Sequence, residues 1–92
     1  MKLTDKALVP AEVIFRQVGN ETVLLDLSSG TYFGLDPVGT RMWQLIETGS
    51  SLAEVVDQIA EQYEISRDVL EQDALAFARD LIQKKLISVV VK

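Results

Sequence analysis

The chain has 92 residues, 48% apolar and 25% charged, which suits one modest hydrophobic core and is too short for two independently folding domains. It contains no cysteine and no histidine, which removes disulfide frameworks, thiol nucleophiles, histidine acid–base catalysis and ordinary zinc sites. A formal net charge of -5 argues against nucleic acid, because phosphate binding draws on clustered Lys and Arg.

Residues 1–11 read as an irregular lead-in, with Pro10 holding it extended. They contain no apolar run long enough for a signal peptide. No segment approaches the roughly 18 consecutive apolar residues of a membrane span, so a cytoplasmic protein with no membrane partner is expected. The segment EVIFRQV at 12–18 is rich in β-branched and aromatic residues and is broken by Gly19-Asn20, which predicts a strand and a turn. TVLLDL at 22–27 is a second strand, in which Val23, Leu25 and Leu27 alternate with Thr22, Leu24 and Asp26. Ser28-Ser29-Gly30 reverses the chain, and TYFGL at 31–35 returns as a third strand. Loops this short join antiparallel neighbours, giving a three-stranded meander.

Asp36 is suited to cap a helix whose first position is Pro37, where no N–H is needed. This first helix spans about 37–47 and stops at Thr48-Gly49. Met42, Leu45 and Ile46 turn much of it toward the sheet, which places Trp43 in the core. Ser50 or Ser51 caps the second helix, and Ser51 with Glu54 has capping-box spacing. Its apolar stripe is Leu52, Val55, Val56, Ile59, Ala60 and Tyr63. Ser66 caps a longer third helix whose buried face is Val69, Leu70, Ala74, Phe77, Ala78, Leu81 and Ile82, ending at Leu86-Ile87. The tail SVVVK at 88–92 is a short strand or a frayed end. Strands first and helices after them predict an α+β fold with one helical layer on one face of a small sheet.

Little here suits catalysis, and neither a cofactor nor a metal site is expected. Glu54, Asp57, Glu61 and Glu64 recur every three or four residues opposite the apolar stripe of the second helix. Such a stripe is a solvated face or a partner-docking face. Gly30, Gly34 and Gly39 make no phosphate loop, because Thr40-Arg41 stands where a lysine would be needed. A winged helix that reads DNA would use similar elements. Its recognition helix would set Arg67, Arg79, Lys84 and Lys85 against Asp68, Glu71, Asp73 and Asp80, and these charges cancel.

The third strand is different in kind. It has a neighbour on one side only, unless SVVVK covers it, and an open strand edge captures extended peptides or a second copy of the same chain. Gly34 either leaves room for an approaching backbone or marks a bulge or a tight helix contact. Tyr32 and Phe33 point to opposite faces, and the pattern does not say which of them faces inward.

The run Tyr32-Phe33-Gly34-Leu35-Asp36-x-x-Gly39-Thr40-x-x-Trp43 is followed by a Gly49-Ser-Ser-Leu52 turn, by Ile59-Ala60-Glu61-x-Tyr63 and by Asp73-x-x-x-Phe77-x-x-x-Leu81. In this order and spacing the chain resembles the PqqD-like domains, the precursor recognition elements of pathways for ribosomally made, modified peptides. The resemblance covers roughly residues 10–88 of a single domain. It implies a winged-helix-like, non-catalytic chaperone that holds the leader of a precursor peptide and presents it to a modifying enzyme. That enzyme is a radical SAM enzyme in pyrroloquinoline quinone synthesis, and a leader peptidase followed by a cyclase in lasso-peptide synthesis; YFGLDPVGTRMW reads more like the lasso group. Carried over by the resemblance, the leader adds as a strand beside Thr31, Tyr32, Phe33, Gly34 and Leu35 and lies against Leu70, Asp73, Ala74, Phe77 and Leu81 of the third helix. Asp73 is either a leader contact or a local cap or ion pair with Arg41 or Arg79. The acidic face of Glu54, Asp57, Glu61 and Glu64 would then be free to meet the modifying enzyme or a basic part of the precursor.

Overall fold

Residues 1–90 are described by a computed structural model. A short strand β1 (Ala7–Leu8) precedes a meander of β2 (Val13–Val18), β3 (Glu21–Asp26) and β4 (Thr31–Leu35). All pairings in the meander are antiparallel, and β3 lies in the middle. The third predicted strand has the expected bounds. The first starts one residue later than expected, at Val13, and the second is shifted back by one to Glu21–Asp26. Gly30 donates its N–H to the Asp26 carbonyl at 2.7 Å and closes the β3–β4 turn.

Register decides the faces. Leu24 is fully buried and stands between Phe15 on β2 and Phe33 on β4, so Thr22, Leu24 and Asp26 point inward. Val23 and Leu25 take the outer face by alternation, and Leu27 falls in the turn after the strand. Asp26 tolerates its inward position because it accepts hydrogen bonds from the Ser28 N–H (3.0 Å), the Ser28 hydroxyl (2.7 Å) and the Ser29 hydroxyl (3.1 Å). These bonds, the Ser28 hydroxyl foremost, hold its carboxyl below the usual carboxylate range.

The helices follow as α1 (Pro37–Glu47), α2 (Leu52–Gln62) and α3 (Arg67–Gln83). Asp36 caps α1 by accepting the Gly39 N–H at 2.7 Å, and Gly49, at φ +97°, supplies the left-handed turn that ends it. Ser51 and Glu54 form the expected capping box: the Glu54 N–H donates to Ser51 Oγ (3.2 Å) and the Ser51 N–H to Glu54 Oε1 (2.9 Å). Ser66 accepts the Val69 N–H and caps α3. Trp43, Ile46, Leu52, Ile59 and Leu70 form the centre of the core, and Phe15 meets the Trp43 ring edge-on at 5.6 Å. Three positions expected in the buried face of α3 differ: Val69 is half exposed, and Phe77 and Ile82 are only partly buried. The helix stops at Gln83, so Leu86 and Ile87 enter the core from the turn that follows it rather than from its last turn.

The lead-in is irregular, as expected, except at β1, and backbone hydrogen bonds tie it to the rest of the fold. β1 pairs antiparallel with β5 (Ser88–Val89), Ala7 opposite Val89 and Leu8 opposite Ser88. The carbonyls of Leu3 and Asp5 accept the N–H groups of Ala53 (2.7 Å) and Leu52 (3.2 Å). Those donors belong to the first turn of α2 and have no partner inside the helix, so the lead-in completes its cap. Because β5 pairs with β1, it leaves the edge of β4 uncovered; Val91 and Lys92 of the expected tail strand lie outside the described residues. No helix among the described residues is long and apolar enough to cross a membrane.

Replacing Ser51 with Ala removes one half of the capping box and is expected to cost about 1 kcal/mol of stability in denaturant unfolding. Asp26 gives a pH signature. Its carboxyl titrates lower in the folded than in the unfolded chain, so its contribution is complete above the ordinary carboxylate range and is lost as pH falls through the depressed folded value. The acid limb of a stability–pH curve should therefore be shallower for Asp26→Asn than for the parent, and identical limbs would refute this assignment.

Candidate functional site

β4 is an edge strand, with β3 on one side and, among the described residues, no strand on the other. Its ladder to β3 runs without a bulge from Thr22 opposite Leu35 to Asp26 opposite Thr31. A Cβ built on Gly34 would meet nothing within 4 Å. The glycine therefore marks neither a bulge nor a tight helix contact, and the sheet face beside it is open. Phe33 points inward and is partly buried, while Tyr32 lies on the outer face and is 68% exposed.

A cleft of about 500 Å³ opens beside this edge. One wall is the end of β4, at Gly34 and Leu35, with the α1 cap Asp36; the floor is the start of α1, at Val38, Gly39 and Met42, with Ile65 at one end. The facing wall is α3, through Asp73, Ala76, Phe77 and Asp80. Gly39 matters for the shape, since a Cβ there would stand 3.1 Å from Asp36 Oδ1 and 3.4 Å from the Phe77 ring. Its absence lets Phe77 lie down on the first turn of α1. Beyond the cleft Lys84 Nζ sits 5.4 Å from the centroid of the Phe33 ring, a cation–π contact.

The helix residues of the expected site separate into two stripes. Asp73 and Phe77 face the cleft, whereas Leu70, Ala74 and Leu81 are at most 4% exposed and belong to the core. On a helix of 3.6 residues per turn, 70, 74, 78 and 81 form one line and 73, 77, 80 and 84 the next. The first line packs inward and the second faces β4. Sequence reading missed Ala76, Asp80 and the α1 floor, although the spacing of Asp73, Phe77 and Asp80 carries the signal for the second line. Asp73 makes no ion pair among the described residues: Arg41 is held by Gln62 Oε1 (3.2 Å) and Gln44 Oε1 (3.5 Å), and the salt bridges formed use Arg67.

The acidic face of α2 is partly engaged within the fold. Glu54 belongs to the capping box, and the Ser51 N–H donating to it holds its carboxyl below the usual range. Asp57 pairs with Arg67, which also reaches Glu71 at 3.3 Å. Glu61 and Glu64 are exposed. Arg67 is thereby neutralised at the start of α3, and Asp68, Asp73 and Asp80 are exposed along it, an unfavourable surface for a phosphate backbone.

Ile14, Val18, Val23 and Tyr32 lie on the sheet face turned away from the helices and are 38–68% exposed, with Arg16 and Glu21 beside them. An apolar face of this kind on a small domain is characteristic of an interaction surface.

Comparison with known proteins agrees with this geometry. Residues 21–87 match the family described as "Coenzyme PQQ synthesis protein D (PqqD)". The structure is similar to that of "TbiB1 in Complex with the TbiA(beta) Leader Peptide", with 38% identity over 100% of both chains and a TM-score of 0.86. It is also similar to that of "Lasso peptide synthetase B1 complexed with the leader peptide", with 26% identity, 90% of this chain and 98% of that chain covered, and a TM-score of 0.84. No curated protein is detectably similar in sequence. The family match takes in β3, the β4 edge, the cleft and the helical core together, and the chain belongs to the PqqD family.

Proposed function

We propose that this chain is a non-catalytic carrier of a ribosomal precursor peptide, whose leader adds as a strand along β4 and sets alternate side chains into the cleft between β4 and α3. The observation that carries the reading is the unobstructed edge of Thr31–Leu35 beside a cleft walled by α3. The two structural relatives, both solved with leader peptides, support it and favour a lasso-peptide pathway over quinone synthesis.

Strand addition supplies backbone hydrogen bonds, each worth a net of about 0.5–1.5 kcal/mol. These are blind to sequence. Discrimination comes from side chains entering the cleft, where Leu35, Val38 and Phe77 offer apolar surface. A leader disordered before binding loses conformational entropy when it is captured, so affinity falls below what the buried area suggests. A second copy of the chain competes for the same edge when no peptide occupies it.

Leader side chains that point away from the cleft extend the outer sheet face beside Tyr32. That face is where the enzyme that receives the peptide docks, a leader peptidase followed by a cyclase in a lasso pathway. It is largely apolar, with Arg16 and Glu21 on it, and is continuous with the peptide-adding edge, so an enzyme bound there touches carrier and leader together. The acids of α2 serve less well, because Glu54 and Asp57 are already engaged.

Three outcomes test this. Titration with the leader of its cognate precursor peptide should shift amides of residues 31–35 and of the cleft-facing line of α3; shifts confined elsewhere would reject strand addition. Phe77→Ala removes cleft wall from a half-buried position and should weaken leader binding about tenfold while the domain stays folded. Ile14→Asp on the outer face should leave leader affinity within about twofold, yet slow processing by the partner enzyme by at least about tenfold, the size of an interface hot spot. Unchanged processing would place the enzyme on another surface.

A further inference from the structure

The cleft carries a charge pattern that capture of an apolar strand does not use. Asp73 and Asp80 stand two turns apart on α3, about 10 Å along the axis, with Phe77 between them. Asp36 faces them from the cap of α1; its Oδ1 accepts the Gly39 N–H. None of the three has an ion-pair partner among the described residues. The cation nearby, Lys84, sits over Phe33 beyond the cleft. The potential along the groove therefore runs from negative, at Asp36, Asp73 and Asp80, to positive at Lys84. The cavity and its apolar floor mark where a peptide lies, independently of these charges; the carboxylates bear on which side chain is accepted.

We propose that Asp73 and Asp80, with Asp36, are specificity residues that select a leader segment in which a Lys or Arg lies two positions from the apolar residue seated on Phe77. The inference rests on the strand-addition reading. In a β-strand, residues i and i+2 point to the same side about 6.5–7 Å apart. A strand lying along β4 with one side chain on Phe77 therefore holds the next cleft-facing side chain over Asp73 or Asp80. A basic residue there gains an ion pair and an acidic residue is repelled, so a leader shifted by one residue loses both the apolar and the ionic contact. The apolar seat supplies most of the affinity, and the carboxylates fix the register.

The experiment is a selection from a library of short linear peptides, run in parallel on the parent protein and on the Asp73→Asn/Asp80→Asn variant. These substitutions are isosteric at exposed positions, and the amide spectrum verifies that the variant is folded. Peptides enriched on the parent should shift amides of residues 31–35 and carry Lys or Arg two positions from an apolar residue; the variant should not show that preference. Replacing the basic residue of an enriched peptide with Gln should weaken binding to the parent about fivefold at low salt, the upper range for a partly exposed pair. On the variant, or at high salt, the difference should shrink to less than about twofold. Peptides that shift residues 31–35 with no basic preference, or with the same preference on the variant, overturn the specificity inference and leave strand addition standing. A selection yielding no peptide that perturbs residues 31–35 overturns strand addition, and the inference with it.

Discussion

A three-stranded sheet with apolar side chains on both faces is served here by a single layer of helices. Everything distinctive about the molecule follows from that mismatch. The helical layer covers the face that carries Leu24 and Phe33 and leaves Ile14, Val23 and Tyr32 in contact with solvent. The meander also ends at β4, and among the described residues no further strand receives its outward backbone groups. In a freestanding domain such groups would be hidden or guarded by charge and proline. Here the cleft lies between that edge and α3.

Much of the fold was legible because its signals are local. Asp36-Pro37 and the Ser51–Glu54 box fix helix starts through backbone groups a few residues away, and both caps form as their spacing implies. The third strand is bounded by a glycine turn and by that same Asp-Pro pair. The pairing of β1 with β5 was not legible. Each is two residues long, too short for any periodicity, and their contact joins opposite ends of the chain. The inward face of β3 was equally hidden. Hydropathy favours Val23, Leu25 and Leu27, yet Asp26 can turn inward because two serines just beyond the strand satisfy it locally.

The candidate site shows the same division. The strand edge follows from the order of elements, and so does its alignment with α3. Which side of α3 meets it depends on a rotation of the helix by less than one residue position, and Leu70, Ala74 and Leu81 fall on the core side of that rotation. Apolar residues were the natural candidates for a peptide groove, but the same property draws them into the core first. What remains for the cleft is a mixed line of acids and one aromatic. Such a line discriminates better than a uniformly greasy wall, because a wrong side chain meets repulsion as well as a poor fit.

The clip between β1 and β5 has a consequence for architecture. It brings the first and last strands side by side and sets them apart from the sheet that offers its edge. A polypeptide that enters this unit at β1 leaves it at β5 almost where it came in. Units of that geometry are easily carried as inserts or end-to-end fusions, since the host chain need only tolerate a narrow stem. The same edge and cleft are thus as serviceable within a larger polypeptide as in a chain of this length, and joining them to an enzyme would replace a diffusional encounter with a tether whose length sets the effective concentration.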